Sequence, residues 1–251
     1  MLVAAVQHDI EWEAPQRNFE RLRPRVEAAV SEGASLVVLS EMWSTGFSMN
    51  SAEISEAPDG PTATFMHELA VSTGAWITGS FPEHTEGYAL PTNRLLLAGP
   101  GGEDHRYSKI HPFTYAREDR HYAAGRGTVT VDVEGVKVTP LICYDLRFAD
   151  LFWDQAAATD CFVVPANWPK ARRQHWMTLL RARAIENQAY VIGVNRVGSA
   201  GRLDYSGDSR IIDPLGEMVE AAPDAETTIC SEVSPAVVAR VRKDFPFMQD
   251  R

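Results

Sequence analysis

Short apolar runs alternate along the chain with stretches whose apolar positions recur at helical spacing. The first run, 2–6, reads as a strand, and 15–32 follows as a helix with Phe19, Leu22, Val26, Ala29 and Val30 on one face and a kink expected at Pro24. The run 35–39 has the character of a short strand buried on both faces, and it ends at Glu41. Strand, helix, strand in that order predicts parallel pairing with a helical crossover. A second helix is expected at 61–73, with proline in its first position and Gly74 as its stop, followed by a strand at 75–80. Segments 88–98 and 105–108, separated by Gly-Pro-Gly-Gly, read as a hairpin, whereas 109–126 is polar, aromatic and irregular. Long irregular segments often carry function. A further hairpin is expected at 129–133 and 136–142 about Glu134-Gly135, its second strand running into Cys143. Helices at 148–158 and 170–187 then alternate with strands at 161–165, 190–195, 209–212 and 228–233. Strands outnumber helices, and the pattern predicts a layered α/β protein with a mixed sheet system and helices outside.

Composition narrows the function. A length of 251 residues fits one core and one domain over 1–251, and 45% hydrophobic with 23% charged residues is globular composition that excludes disorder and fibre. Against 34 acidic residues stand 24 basic ones, a net charge of -10 that repels a phosphate backbone, so nucleic acid is not an expected partner. No apolar stretch approaches the roughly 18 residues of a membrane helix, and the opening MLVAAVQHDIEWE lacks a basic leader region. The expectation is a cytoplasmic protein with no membrane partner. Three cysteines, Cys143, Cys161 and Cys230, match neither a disulfide framework nor a zinc site, and none of the seven histidines has metal-ligand spacing. No metal is expected.

Cys143 closes the apolar run VKVTPLI and is followed by Tyr-Asp-Leu-Arg, where the chain turns polar before a helix. Such a turn exposes a nucleophile, although a small buried residue at a strand end has the same pattern. Cys161 and Cys230 lie inside strand-like runs and fit burial better. A thiol with a reference pKa of about 8.5 needs a base or a cation to act near neutrality, and no histidine stands beside a motif that pairs with Cys143. The chain offers instead Glu41 at the end of a buried strand and Lys109 at the start of the irregular segment. Taken singly, each also reads as a solvated or ion-paired charge. An ammonium 4 Å from the sulfur is worth about 1 kcal/mol in water and about 4 at an effective dielectric of 20, so only a partly buried site would work.

Together these positions resemble the nitrilase (carbon–nitrogen hydrolase) superfamily. The resemblance covers nearly the whole chain: AAVQHDI, LVVLSEMWSTGFSM around Glu41, YSKIHPF around Lys109, LICYDLRF around Cys143, and VVPANWPKARRQHWMTLLRARAIENQAYVIGVNRVG downstream. Within the superfamily, SEMWSTGFSM with CYDLRF looks most like the omega-amidase branch, which hydrolyses the terminal amide of 2-oxoglutaramate and 2-oxosuccinamate. Two departures touch loop geometry, Ser40 and Ala149 standing where many members have proline.

The resemblance implies a four-layer α-β-β-α sandwich and a triad of Glu41 as base, Lys109 as cation and Cys143 as nucleophile, with no cofactor. It implies that Glu118 helps position the lysine and the substrate, its alternative being a surface charge in the run Arg117-Glu118-Asp119-Arg120. The backbone N–H of Tyr144 is the expected partner of Lys109 in holding an oxyanion. Arg147 is a candidate anchor for a substrate carboxylate, or else a salt-bridge partner of Asp145 or Asp150. Trp168 either lines the pocket or packs on the 170–187 helix. That helix, with Trp176, Leu179, Leu180 and Arg183, is the expected homodimer face. The competing functions are another amide-type substrate, such as deaminated glutathione, an N-carbamoyl amino acid or a nitrile, and a non-catalytic metabolite-binding protein on the same fold.

Overall fold

The computed structural model describes residues 1–250. The chain opens with β1 (Leu2–Gln7), α1 (Pro15–Ser31), β2 (Leu36–Val38), the single turn α2 (Ser51–Ile54), α3 (Pro61–Thr73) and β3 (Trp76–Glu83). There follow β4 (Thr92–Ala98), β5 (Asp104–Ser108), β6 (Val131–Val133), β7 (Val136–Pro140), α4 (Ala149–Gln155), β8 (Cys161–Ala166) and α5 (Arg173–Asn187). The last part holds β9 (Tyr190–Asn195), β10 (Val197–Ala200), β11 (Leu203–Ser206), β12 (Arg210–Ile212), β13 (Met218–Ala221), β14 (Thr227–Glu232) and α6 (Pro235–Asp244).

Two six-stranded sheets result, ordered β14-β1-β2-β3-β4-β5 and β13-β12-β9-β8-β7-β6. Each has a parallel centre, β1-β2-β3 in one and β7-β8-β9 in the other, with antiparallel neighbours outside it. Strand alternation distributes the layers. Ala4, Val6, Val37, Leu39, Leu96 and Ala98 pack on Phe19, Leu22 and Val26 of α1 and on Phe65, Met66 and Leu69 of α3. Their alternates Val3, Ala5, Leu36, Val38, Leu95 and Leu97 belong to a second core, shared with the other sheet and with Phe152, Trp176, Leu180 and Ala184 of α4 and α5. The order is therefore helix, sheet, sheet, helix, as the resemblance implies.

Differences from the sequence reading are local. Segment 88–91 lies outside β4, and the 148–158 and 170–187 helices each include a 3-10 turn, at Ala156–Ala158 and Lys170–Arg172. Four pieces were not read at all, the first being the single turn α2. β13 has no buried residue and hence no alternation to see. The β10-β11 hairpin is short and polar. α6 did carry a signal, Ser234 before Pro235 at its first position with Val238 and Val241 buried on one face. Among the described residues no helix is long and apolar enough to cross a membrane.

His8, just past β1, is 2% exposed; its Nδ1 lies 3.1 Å from the Val6 carbonyl and its Nε2 3.5 Å from the hydroxyl of Ser40, one residue before Glu41. Burial, reinforced by the charge of Arg196 and opposed by the Val6 carbonyl, lowers its pKa from 6.5 to about 4. The folded chain thus binds fewer protons than the unfolded one between those values, and the stabilisation from neutral His8, of the order of 3 kcal/mol, is full above pH 6.5 and lost as pH falls through that window. Thermal unfolding at pH 7 and about pH 4.5 is expected to show a larger drop in Tm for the wild type than for His8→Gln; equal drops would remove His8 as the source.

Candidate active site

The carboxyl ends of the central parallel strands of both sheets converge, the usual place for a ligand in α/β sheets. Glu41 lies just past β2, Cys143 just past β7 and Asn167 directly after β8, while Lys109 follows β5. The two turns that matter most leave their strands through left-handed residues, Met42 at φ 42° and Cys143 at φ 46°. Non-glycine residues adopt that conformation at a cost of about 1–3 kcal/mol, so surrounding contacts must hold it.

At Cys143 the holding group is Asp145, which is fully buried. Its carboxylate accepts hydrogen bonds from the Ile142 N–H (3.0 Å) and the Tyr107 hydroxyl (2.8 Å), and from the His111 N–H (2.9 Å) with His111 Nδ1 also at 2.9 Å. One side chain thereby ties the 3-10 turn Cys143–Arg147 to the strand and loop that bear Lys109. The far end of that loop is fastened too. The Gly125 N–H donates to the Lys109 carbonyl at 2.7 Å, and a Cβ at Gly125 would fall 2.0 Å from the Ser108 carbonyl oxygen, so only glycine fits.

Glu41, Lys109 and Glu118 form a closed group, at 0%, 1% and 0% exposure. Lys109 Nζ donates to Glu41 Oε1 at 2.8 Å and to Glu118 Oε1 and Oε2 at 3.1 and 2.8 Å. Asn93 Nδ2 reaches the same two carboxylates, at 2.9 and 3.2 Å. Glu41 Oε2 accepts the Asn167 N–H at 2.8 Å, and Asn167 Nδ2 donates back to the Glu41 carbonyl at 2.5 Å. Glu118 also accepts from the Phe113 N–H at 2.5 Å.

These contacts set protonation. Burial opposes the charge on Lys109, but the carboxylates of Glu118 and Glu41 outweigh it and hold the ammonium above the usual lysine range. Burial, and then the charge of Glu41, push the Glu118 carboxyl up against the pull of Lys109. Burial and Glu41 raise the Cys143 thiol well above its ordinary value, with Lys109 pulling it down. The resting sulfur is a thiol.

Glu118 is therefore no surface charge, and Glu41 and Lys109 are not solvated. Cys143 lies beside both and opens onto a pocket walled by Phe47, Phe113, Tyr144, Trp168 and Tyr205. The N–H of Tyr144 belongs to the first turn after the nucleophile, where helical amides lack a partner within the turn. Arg147 lines the pocket too, and it pairs with neither Asp145, whose oxygens are taken, nor Asp150. It lies 3.1 Å from His175 Nδ1, its guanidinium 4.7 Å from the Trp168 ring centroid. Trp168 does both things expected of it, facing the pocket and packing on Trp176 of α5 at 5.5 Å between centroids. Of the helix residues expected at a dimer face, Trp176, Leu180 and Arg183 are buried in the chain's own core, Arg183 donating to the Leu146 carbonyl. Ser40 is buried without removing any charged group, and Ala149 opens α4. The sequence reading missed Asn93, Asn167, Asp145, Arg172 and Tyr205. Asn93 stands between Thr92 and Arg94 at the polar start of β4, so nothing in the sequence set it apart.

The carbon–nitrogen hydrolase family matches over residues 2–243. The omega-amidase YafV of Escherichia coli K12 is 40% identical over 251 residues, covering 99% of this chain and 95% of that protein. A 2-oxoglutaramate amidase of Bacillus subtilis 168 is 30% identical over 256 residues, covering 99% and 96%. Among solved structures, a CN-hydrolase superfamily protein from Xanthomonas campestris, with an arsenic adduct in its active site, superposes with a TM-score of 0.95 at 37% identity, covering 100% of this chain and 97% of that one.

Because the thiol is held protonated, alkylation of Cys143 by iodoacetamide, followed by mass spectrometry, is expected to accelerate without a plateau from about pH 6 to about pH 9, approaching tenfold per unit. A plateau near neutrality would mean a preformed thiolate.

Proposed function

Since the chain belongs to the carbon–nitrogen hydrolase family, on the omega-amidase branch, we propose that it hydrolyses the terminal amide of a small carboxylated 2-oxo amide, of the 2-oxoglutaramate or 2-oxosuccinamate type, to the acid and ammonia. The observation that carries this reading is the buried Lys109 ammonium bonded to both Glu41 and Glu118 beside the Cys143 thiol. The names borne by the Escherichia coli and Bacillus subtilis relatives support the substrate class.

In this reading Glu41 takes the thiol proton as the sulfur attacks the amide carbonyl, so that the C–S bond forms while the carbonyl electrons move onto oxygen. A base is needed because the resting group is a thiol. Lys109 and the Tyr144 N–H hold the oxyanion, and losing one such donor costs about 3–4 kcal/mol in comparable sites. Collapse breaks the C–N bond, and the leaving nitrogen takes the proton from Glu41 and departs as ammonia. Water then attacks the acyl-thioester as Glu41 takes its proton; the C–S bond breaks and the sulfur recovers the proton. Glu118 and Asn93 fix Lys109 and Glu41 relative to each other. Arg147 anchors the substrate carboxylate and Trp168 forms a pocket wall. The same proposal includes a cytoplasmic homodimer, with the outer face of α5, where Ile185 is half exposed, as its contact.

The test is ammonia release from 2-oxoglutaramate, 2-oxosuccinamate, glutamine, an N-carbamoyl amino acid and a simple nitrile by wild type and Cys143→Ala. Release from the 2-oxo amides that vanishes in the variant is the expected result. Release accompanied by carbon dioxide from the carbamoyl compound alone would reassign the substrate, and no release from any compound would favour a metabolite-binding role. Arg147→Lys is expected to raise KM for the carboxylated amide roughly tenfold or more, through loss of the bidentate pair. An unchanged KM would end the anchor role.

A further inference from the structure

The pocket before Cys143 is lined by two guanidinium groups and no carboxylate. Arg147 enters from the turn that follows the nucleophile, and Arg172 from the turn Lys170–Arg172 that leads into α5. Among the described residues neither makes an ion pair, in a chain whose acidic residues outnumber the basic ones 34 to 24. Aromatic faces support both instead: Arg147 lies 4.7 Å from the Trp168 centroid and Arg172 5.5 Å from that of Phe113. Trp168 Nε1 donates to the Arg172 carbonyl at 2.9 Å, so the ring under one guanidinium is fastened to the backbone of the other. The two are one unit. Burial lowers the proton affinity of Arg147, and the neighbouring charge of Arg172 works in the same direction.

Two like charges without a counter-ion in an aromatic pocket destabilise the empty site, and an anion relieves both. One carboxylate satisfies one guanidinium fork through its two oxygens. A second fork calls for a further acceptor oxygen close to that carboxylate.

We propose that Arg172 determines specificity by donating to the 2-oxo oxygen next to the substrate carboxylate while Arg147 takes the carboxylate, so that the pair reads a 2-oxo acid as one group. This rests on the carboxylated-amide reading given above. A 2-amino acid in the same pose places an ammonium against Arg172. The pocket lining offers it no acid, and Glu41 and Glu118 are already bonded to Lys109 and Asn93. Such a site gains an acceptor from one substrate and meets a like charge in the other.

The experiment separates binding from turnover. At one fixed pH, protection of Cys143 from iodoacetamide is titrated with 2-oxoglutarate, glutarate and glutamate in the wild type, Arg172→Met and Arg172→Lys. The wild type is expected to bind 2-oxoglutarate roughly tenfold or more tighter than glutarate, as a hydrogen bond to a charged donor predicts, and glutamate weakest. Arg172→Met is expected to bind the three alike, with an unchanged circular dichroism spectrum and Tm as the sign of an intact fold; Arg172→Lys keeps the rejection of glutamate with a reduced 2-oxo preference. The inference is overturned if the wild type shows no 2-oxo preference, or if Arg172→Met keeps it. Failure of ammonia release from the 2-oxo amides would sink the amidase reading on its own, because these protection constants do not depend on turnover.

Discussion

One ammonium is shared by two carboxylates inside the protein, and the rest of the site follows from that. Lys109 is 1% exposed and Glu41 and Glu118 are fully buried, so none of the three has water to fall back on. Removing one member of a buried ion group leaves its partners uncompensated, at a cost of about 3–5 kcal/mol. The group also carries one more negative than positive charge when both carboxylates are ionised. Neutral donors take up that excess: Asn93 Nδ2, the Asn167 N–H and the Phe113 N–H. Burial first, and then the charge of Glu41, keep the sulfur protonated against the pull of Lys109. In the proposed chemistry, nucleophile and base are therefore activated together or not at all.

The backbone serves that arrangement. Parallel centres in both sheets bring the ends of β2, β7 and β8 to one place, and the left-handed residues Met42 and Cys143 turn the chain across it. Asp145 lets the strained nucleophile turn and the lysine loop share one carboxylate. Position of the sulfur and position of the ammonium are thus not independent variables.

Much of this was legible in the sequence where a residue's setting is local. The strands before Glu41 and Cys143 are continuous apolar runs, and a charge or thiol at their ends stands out against them. Ion pairing is not local, so Glu41, Lys109 and Glu118 could each be read as a surface charge until the family resemblance joined them. Asn93, Asn167 and Asp145 were missed because their partners come from other elements: the nearest Asp145 partner in sequence is Ile142, but Tyr107 and His111 lie on the other sheet's side of the chain order. For Arg147 both sequence alternatives needed to know whether Asp145 was free, and only the fold answers that. The edge strand β13, exposed throughout, leaves no hydrophobic pattern for any reading to find.

The bond from the Asn167 amide to Glu41 joins residues 126 positions apart. Contacts of that span form only after the intervening chain has ordered, and they tie a function to the slowest part of folding. Until the second sheet docks on the first, the thiol exists without its base and Glu41 without the Asn167 amide. A chain arrested halfway could not carry out the proposed chemistry, and turnover at Cys143 becomes a report that the two halves have closed.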